Sequence, residues 1–315
     1  MKTYYVKPER STLHGSFSRD YPPILTIDSG DTVRFSTLDA LWGLEPFSTT
    51  GDRKAFETKD LKGNSGHALC GPIAIQGAEE GMVLEIRINE VIPESWGWSF
   101  AGGSAQVKKR LGINVDEGYH LNWNLDVKNM IGVSQYNHSV DIKPFMGTMG
   151  MPPNEHGIHS TVPPRYCGGN IDCKELVKGS VLYLPIPVKG GLFSVGDGHT
   201  VQGDGEVSTQ AIECPMDLVD LTFTLNKDLK LSMPRACTPA GWVTFGFHED
   251  LNEASVVALE GMLDLMEELY SFKRNKAYTL ASLTVNMRIT QMVNGVKGVH
   301  ALLPHYAIAK PIIFQ

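Results

Sequence analysis

The chain has 315 residues, 42% of them hydrophobic, which is enough for two compact cores. Its 28 Lys and Arg against 35 Asp and Glu leave a formal net charge of -7, and no basic run exceeds Lys108-Lys109-Arg110. That balance excludes an electrostatic nucleic-acid binder, and no apolar run approaches the length of a membrane-spanning helix. Five widely spaced cysteines without a C-x-x-C pair encode neither a disulfide framework nor a zinc knuckle. Met1 to Arg10 show no apolar leader, so a cytoplasmic location is expected.

Up to about Val243, short alternating or β-branched runs are punctuated by Gly, Pro, Asn and Asp, at the spacing of a sandwich or barrel. One pattern recurs at Ser29-Gly-Asp-Thr-Val-Arg-Phe-Ser36, Glu80-Gly-Met-Val-Leu-Glu-Ile-Arg87 and Lys178-Gly-Ser-Val-Leu-Tyr-Leu-Pro185. In each, a polar residue and Gly make a turn from which an alternating strand departs. Pro144 to Asp172 hold Pro152, Pro153, Pro163 and Pro164 and many glycines, a composition that predicts an ordered functional loop without helix or central strand. Val181–Val188 and Gly191–Val195 read as two strands of a hairpin. Beyond His248, Asp250 with Glu253 forms a capping-box-like helix start, and Val256, Leu259, Leu263, Met266 and Tyr270 make a core stripe. A second helix is predicted over Tyr278–Met292, then a strand over Val299–Leu303. The pattern is mainly β with a C-terminal α+β element.

Chemistry concentrates in Gly196-Asp-Gly-His-Thr-Val-Gln-Gly-Asp-Gly-Glu206. On extended backbone Asp197 and His199 share one face, and Gln202, Asp204 and Glu206 share another register. The glycines permit positive φ or close approach to a ligand. A second cluster, Cys167-Gly-Gly-Asn-Ile-Asp172, offers backbone amides at Gly168 and Gly169, the Asn170 amide, and Asp172 to ligate a metal or orient a histidine. Asp39 and His67 are further ligand candidates. His156 and His159 rank below His199 because Pro and Gly deny them a helix, and Trp96 and Trp98 read as core. No G-x-S-x-G elbow, P-loop or dinucleotide fingerprint occurs. An Asp, His, Gln and Glu set therefore points to metal-assisted hydrolysis, with Glu206 as proton shuttle. Two other readings compete: a metal- or ligand-binding β module without catalysis, and a metal-independent hydrolase whose nucleophile is Ser or Cys, with Cys70 and Cys167 beside Gly-rich backbone.

With these residues placed, the chain resembles the acetamidase/formamidase family. The matching pieces are Gly71-Pro-Ile-Ala-Ile-Gln-Gly-Ala-Glu79 with Gly81, Met146-Gly-Thr-Met-Gly-Met-Pro152, Gly168 to Asp172, Leu182-Tyr-Leu-Pro-Ile-Pro-Val188, Gly196 to Glu206 and Val299-His-Ala-Leu-Leu-Pro304. The resemblance implies hydrolysis of a short aliphatic amide, formamide or acetamide, to carboxylate and ammonia. It implies a β-sandwich over residues 1–145, a smaller β-barrel over 146–248, and an α+β element over 249–315. It also implies a divalent metal, zinc favoured over calcium, nearest Asp39, Asp172 and His199, with Asp197, Gln202, Asp204 and Glu206 completing the site. Gly168 and Gly169 would hold the oxyanion, and Gln202, Asp204 and Glu206 would carry the catalysis. A homodimer or higher homo-oligomer is expected, as sheet edges need cover.

Overall fold

The computed structural model describes residues 1–48, 50–58 and 66–309. Its first strands are β1 (Thr3–Val6), β2 (Leu13–His14), β3 (Leu25–Ile27), β4 (Thr32–Thr37), β5 (Leu69–Ile75), β6 (Val83–Pro93) and β7 (Trp96–Phe100). A short helix, α1 (Ala105–Arg110), precedes β8 (His120–Asp126), β9 (Ile131–Ser134), β10 (Ser139–Asp141), β11 (Phe145–Gly150) and β12 (Gly168–Asn170). Then come β13 (Val181–Pro185), β14 (Phe193–His199), β15 (Glu213–Cys214), β16 (Met216–Asn226), β17 (Arg235–Thr238) and β18 (Gly241–His248). Helices α2 (Leu251–Tyr270) and α3 (Arg274–Thr284) lead to β19 (Asn286–Gln291) and β20 (Lys297–Pro304). None of the described helices is long and apolar enough to cross a membrane.

These strands form two large sheets. The first runs β1-β4-β16-β6-β13-β17-β18-β20-β19; the second runs β10-β9-β8-β7-β15-β14-β11-β12, with β5 pairing β14, β2 and β3. One apolar core lies between them and draws on both, with Phe193 of the second sheet edge-on to Phe223 of the first at 5.0 Å. Each such fully buried side chain contributes roughly 1.5–3 kcal/mol. Every residue of β5, β11 and β14 is buried. Polar groups on those strands are therefore cut off from water and must find partners inside the protein.

The mainly β architecture with C-terminal helices is as expected, but the boundaries at 145 and 248 do not separate sheets. Strand β6 pairs with β13 and β16, β5 pairs with β14, and β20 extends the first sheet beyond β18. Residues 310–315 of the expected C-terminal element lie outside the described residues. Nor do β13 and β14 form a hairpin, because the turn at Gly190-Gly191 passes the chain from one sheet to the other. Phe145–Gly150, expected as loop, is a strand between β14 and β12, since no proline falls between Pro144 and Pro152.

At the C-terminal end Asp250 caps α2 as predicted, accepting from the N–H groups of Asn252 and Glu253. Of the expected stripe Leu263 and Met266 are buried, Leu259 and Tyr270 pack against the same cluster and only Val256 is exposed; Ala254, Ala258, Met262 and Leu265 complete the buried face. Small residues win that face because the helix backbone lies directly over Gly246, where a Cβ would meet the Ala254 carbonyl. The second predicted helix starts four residues earlier and ends at Thr284; Asn286–Gln291 is strand instead, paired along β20. Pairing with a waiting strand edge overrides local helical spacing there.

Candidate active site and metal centre

Strand register assembles the site. On β14, Gly196 and His199 stand opposite Thr148 and Phe145 of β11, while Asn170 of β12 faces Thr148 from the other side. Leaving β12, the chain folds back on Gly147, whose carbonyl accepts the N–H groups of Ile171 and Asp172 at 3.0 and 3.1 Å. Asp172 and Asp197 are thereby brought to Gly147, where a Cβ would lie 2.8 Å from Asp172 Oδ1 and 2.7 Å from Asp197 Oδ2. Strand β15 pairs with β14 on its other side and sets Glu213 opposite His199.

The His199 imidazole is the centre. Its Nε2 lies 3.3 Å from Asp197 Oδ1 and 3.2 Å from Glu213 Oε2, and Phe145 meets the ring edge-on at 5.2 Å. Gln202 determines its tautomer. The Gln202 Nε2 group donates to the Asp172 carbonyl at 2.7 Å and faces that of Thr290 at 3.4 Å, so Oε1 must be the atom 3.0 Å from His199 Nδ1. An amide oxygen only accepts, so Nδ1 carries a proton and Nε2 is directed at the acids.

Asp172, Asp197 and His199 offer ligand atoms within 4.8 Å of one another, and so do His199, Glu206 and Glu213. All five residues are buried, none more than 6% exposed. Asp172 Oδ1 and Glu206 Oε2 have no hydrogen-bond partner, and Glu213 Oε2 has only the His199 imidazole at 3.2 Å. Asp172, Asp197 and Glu206 also take positive φ, 52°, 60° and 47°, conformations that cost non-glycine residues about 1–2 kcal/mol each. Four acids around one imidazole are electrostatically incomplete. Burial and then Asp197 push Asp172 up to about 7, and burial and then Asp172 push Glu206 up to about 10. Burial also raises Glu213. Burial would raise Asp197 too, but His67 and His199 hold it below its ordinary value. His199 resists its own desolvation and titrates well above the usual range because Glu213 and Asp197 face it. Two unpartnered oxygens, a third that meets only the imidazole, and a glycine that leaves room between two carboxylates fit a divalent cation.

Other candidates from the sequence fall elsewhere. Asp39 accepts from Leu41 N, Gly43 N, Trp98 Nε1 and both terminal nitrogens of Arg53, so its oxygens are engaged in a buried ion pair rather than directed into the cluster. Asp204 turns out of the cluster to Lys174 and Arg288 at 2.9 and 2.8 Å, because the chain beyond His199 leaves the strand and the expected alternation ends. The Gly168 N–H donates to the Arg165 carbonyl at 3.0 Å, which removes it as an oxyanion donor; Gly169 stands opposite Met149 in the ladder. Asn170 bridges Thr148 and the Val162 carbonyl. His67 lies at the edge, its Nδ1 3.0 Å from Thr161 Oγ1 and its charge acting on Asp172 and Asp197. His156 pairs with Asp20 on an exposed loop. Burial pushes the thiols of Cys70 and Cys167 up to about 12, which leaves almost no thiolate for a nucleophilic mechanism.

Glu213 was not among the residues singled out from the sequence. Its signal is a lone acid inside the apolar run Ala211-Ile-Glu-Cys-Pro-Met216, where a solvated role would be odd. Thr148, 3.1 Å from Asp197 Oδ2, and Asn294, 2.7 Å from Asp172 Oδ2, were missed as well.

Residues 3–160 and 155–307 match the model of the Acetamidase/Formamidase family. A formamidase of Methylophilus methylotrophus is 26% identical over 247 residues, 62% of this chain and 60% of that enzyme. The chain spans about three fifths of the length of the curated relatives it matches. Among solved structures, an acetamidase of Yersinia enterocolitica has TM-score 0.82 and 26% identity over 98% of this chain and 93% of that one. A recombinant predicted acetamidase/formamidase of Thermoanaerobacter tengcongensis has TM-score 0.81 and 26% identity over 97% of each chain. On the match along nearly its whole length, this chain belongs to the acetamidase/formamidase family.

Proposed function

We propose that this protein hydrolyses the C–N bond of a short aliphatic amide, formamide or acetamide, to carboxylate and ammonia, with a divalent cation held by Asp172, Asp197, His199 and Glu213. The observation that supports this most directly is the set of four buried acids around one imidazole, with Asp172 Oδ1 and Glu206 Oε2 unpartnered, in a family named for this reaction. When bound, the cation supplies Lewis acidity to the amide carbonyl and to the attacking water. The imidazole at the centre favours zinc over calcium, which takes oxygen donors alone.

The chain's own groups do the rest. Gln202 keeps a proton on His199 Nδ1 and so keeps Nε2 facing the acids. Glu206 holds a proton when no cation is present and would release it on cation uptake; its buried Oε2 then accepts a proton from the attacking water as the C–O bond forms and passes it to the amide nitrogen. The C–N bond then breaks and ammonia leaves. Formamide and acetamide differ by one methyl group, worth about 1–3 kcal/mol in a pocket, so both belong in the test. We also propose a cytoplasmic homodimer or larger homo-oligomer, supported by the open sheet edges at β1 and β10 and by five free cysteines.

The test is ammonia release from formamide and acetamide by protein as isolated, after exhaustive chelation, and after zinc or calcium restoration. Activity lost on chelation and restored by one ion is expected. Full activity in the chelated protein, or in a folded Glu206→Gln variant, would overturn the mechanism.

A further inference from the structure

Asp172 is held at three points. Its N–H donates to the Gly147 carbonyl at 3.1 Å, its carbonyl accepts from Gln202 Nε2 at 2.7 Å, and its Oδ2 accepts from Asn294 Nδ2 at 2.7 Å. The third donor comes from another part of the fold. Asn294 sits at the tip of the hairpin joining β19 to β20, on the far side of α2 and α3 in the chain.

That tip is built to present a side chain. Gln291, fully buried, accepts from the Val293 and Asn294 N–H groups at 2.9 and 3.1 Å through Oε1 and donates to the Val296 carbonyl at 2.8 Å through Nε2. The hairpin is also joined to the loop that bears Glu206: Gly205 N–H donates to the Ile289 carbonyl at 2.9 Å, and Met292 N–H donates to the Gly205 carbonyl at 3.1 Å. With Oδ2 occupied, Asp172 retains one buried oxygen without a partner, Oδ1, among the ligand-capable atoms of Asp197 and His199.

We propose that Asn294 is a positioning residue for the metal centre: by donating to Oδ2 it commits Asp172 to the cation through Oδ1 alone, so the C-terminal hairpin completes a site built by β12 and β14. The inference rests on the metal-dependent reading above. Donors that hold a ligating carboxylate set its direction, and losing one typically weakens metal binding about 10- to 100-fold. An Asp at 294 cannot donate and sets a second carboxylate against the first, so its effect exceeds that of Ala.

The experiment titrates metal-free wild type, Asn294→Ala and Asn294→Asp with zinc chloride alone in a calorimeter, beside thermal unfolding of each metal-free protein. Expected are weaker zinc binding by about 10- to 100-fold in Asn294→Ala, a larger loss in Asn294→Asp, and a metal-free Tm close to wild type for Asn294→Ala. Wild-type zinc affinity in both variants overturns the inference and leaves the metal reading standing, whether or not Tm falls. A wild type that takes up no zinc overturns both.

Discussion

Replacing Gly147 with Ala tests whether the space between Asp172 and Asp197 is functional. The added Cβ would lie 2.7 Å from Asp197 Oδ2 and 2.8 Å from Asp172 Oδ1 and His199 Cε1. Each separation is about 0.6 Å short of ordinary contact, and all three neighbours are buried side chains of the site. Gly147 is not among the positive-φ glycines, so the backbone accepts Ala and the penalty is steric. Overpacking of this kind costs about 1–3 kcal/mol, a fall in Tm of about 2–6 °C for a chain of this size. A functional loss accompanies it. Spreading the two carboxylates by several tenths of an ångström disturbs the geometry both would offer one cation; since a misplacement of about 1 Å can cost about 100-fold in rate, a loss of roughly 10-fold or more is expected. The assay is differential scanning calorimetry of the metal-free variant with kcat/KM for ammonia release from the better amide. A kcat/KM within about threefold of wild type would refute the assignment of this space to the reaction.

Asp39→Asn leaves the Arg53 guanidinium buried without its counter-charge, so a loss of about 3–5 kcal/mol is expected in equilibrium denaturation, with zinc affinity unchanged. Weaker zinc binding in a folded variant would return Asp39 to the ligand set. His14 and His300 are buried and neutral; burial lowers each from 6.5 to about 4. Because the unfolded chain binds protons first, the contribution of each histidine is full above pH 6.5 and falls toward pH 4, by about 3 kcal/mol. Asp172 and Glu206, raised in the fold, act in the opposite sense, so the check is the Tm difference between wild type and a His14→Gln variant, and a difference that stays constant between those pH values would contradict this. Zinc uptake at pH 7 should release about two to three protons, because His199, Glu206 and about half of Asp172 hold protons when no cation is present. Calorimetry in buffers of different ionisation enthalpy reads the number, and proton-neutral uptake would place the ion away from these carboxylates.

The legibility of the site varied residue by residue. Asp172, Asp197, His199 and Glu206 were visible because dense polar residues among glycines stand out in a β-rich chain. Gln202 was visible too, but as a catalytic group, whereas its amide orients His199 and the Asp172 backbone. Asp204 was read by strand alternation that stops at His199, and Asp39 by its position after a strand, with no sign that Arg53 would occupy it. Glu213 and Asn294 lie in the second half of the chain, in segments with no local polar cluster.

Composition, turn residues and period-two alternation are local properties, so the sequence by itself determined that the chain is mainly β, that Asp250 caps α2, and which segment holds the reactive groups. Only the tertiary structure decided which acids meet at His199, because that depends on pairing between strands distant in sequence. Asn170 reaches Thr148 through β11, Glu213 reaches His199 through β15, and Asn294 arrives on a hairpin beyond two helices. A shift of one residue in any of those registers would turn the side chains to the opposite face, and no single segment encodes its partner's register.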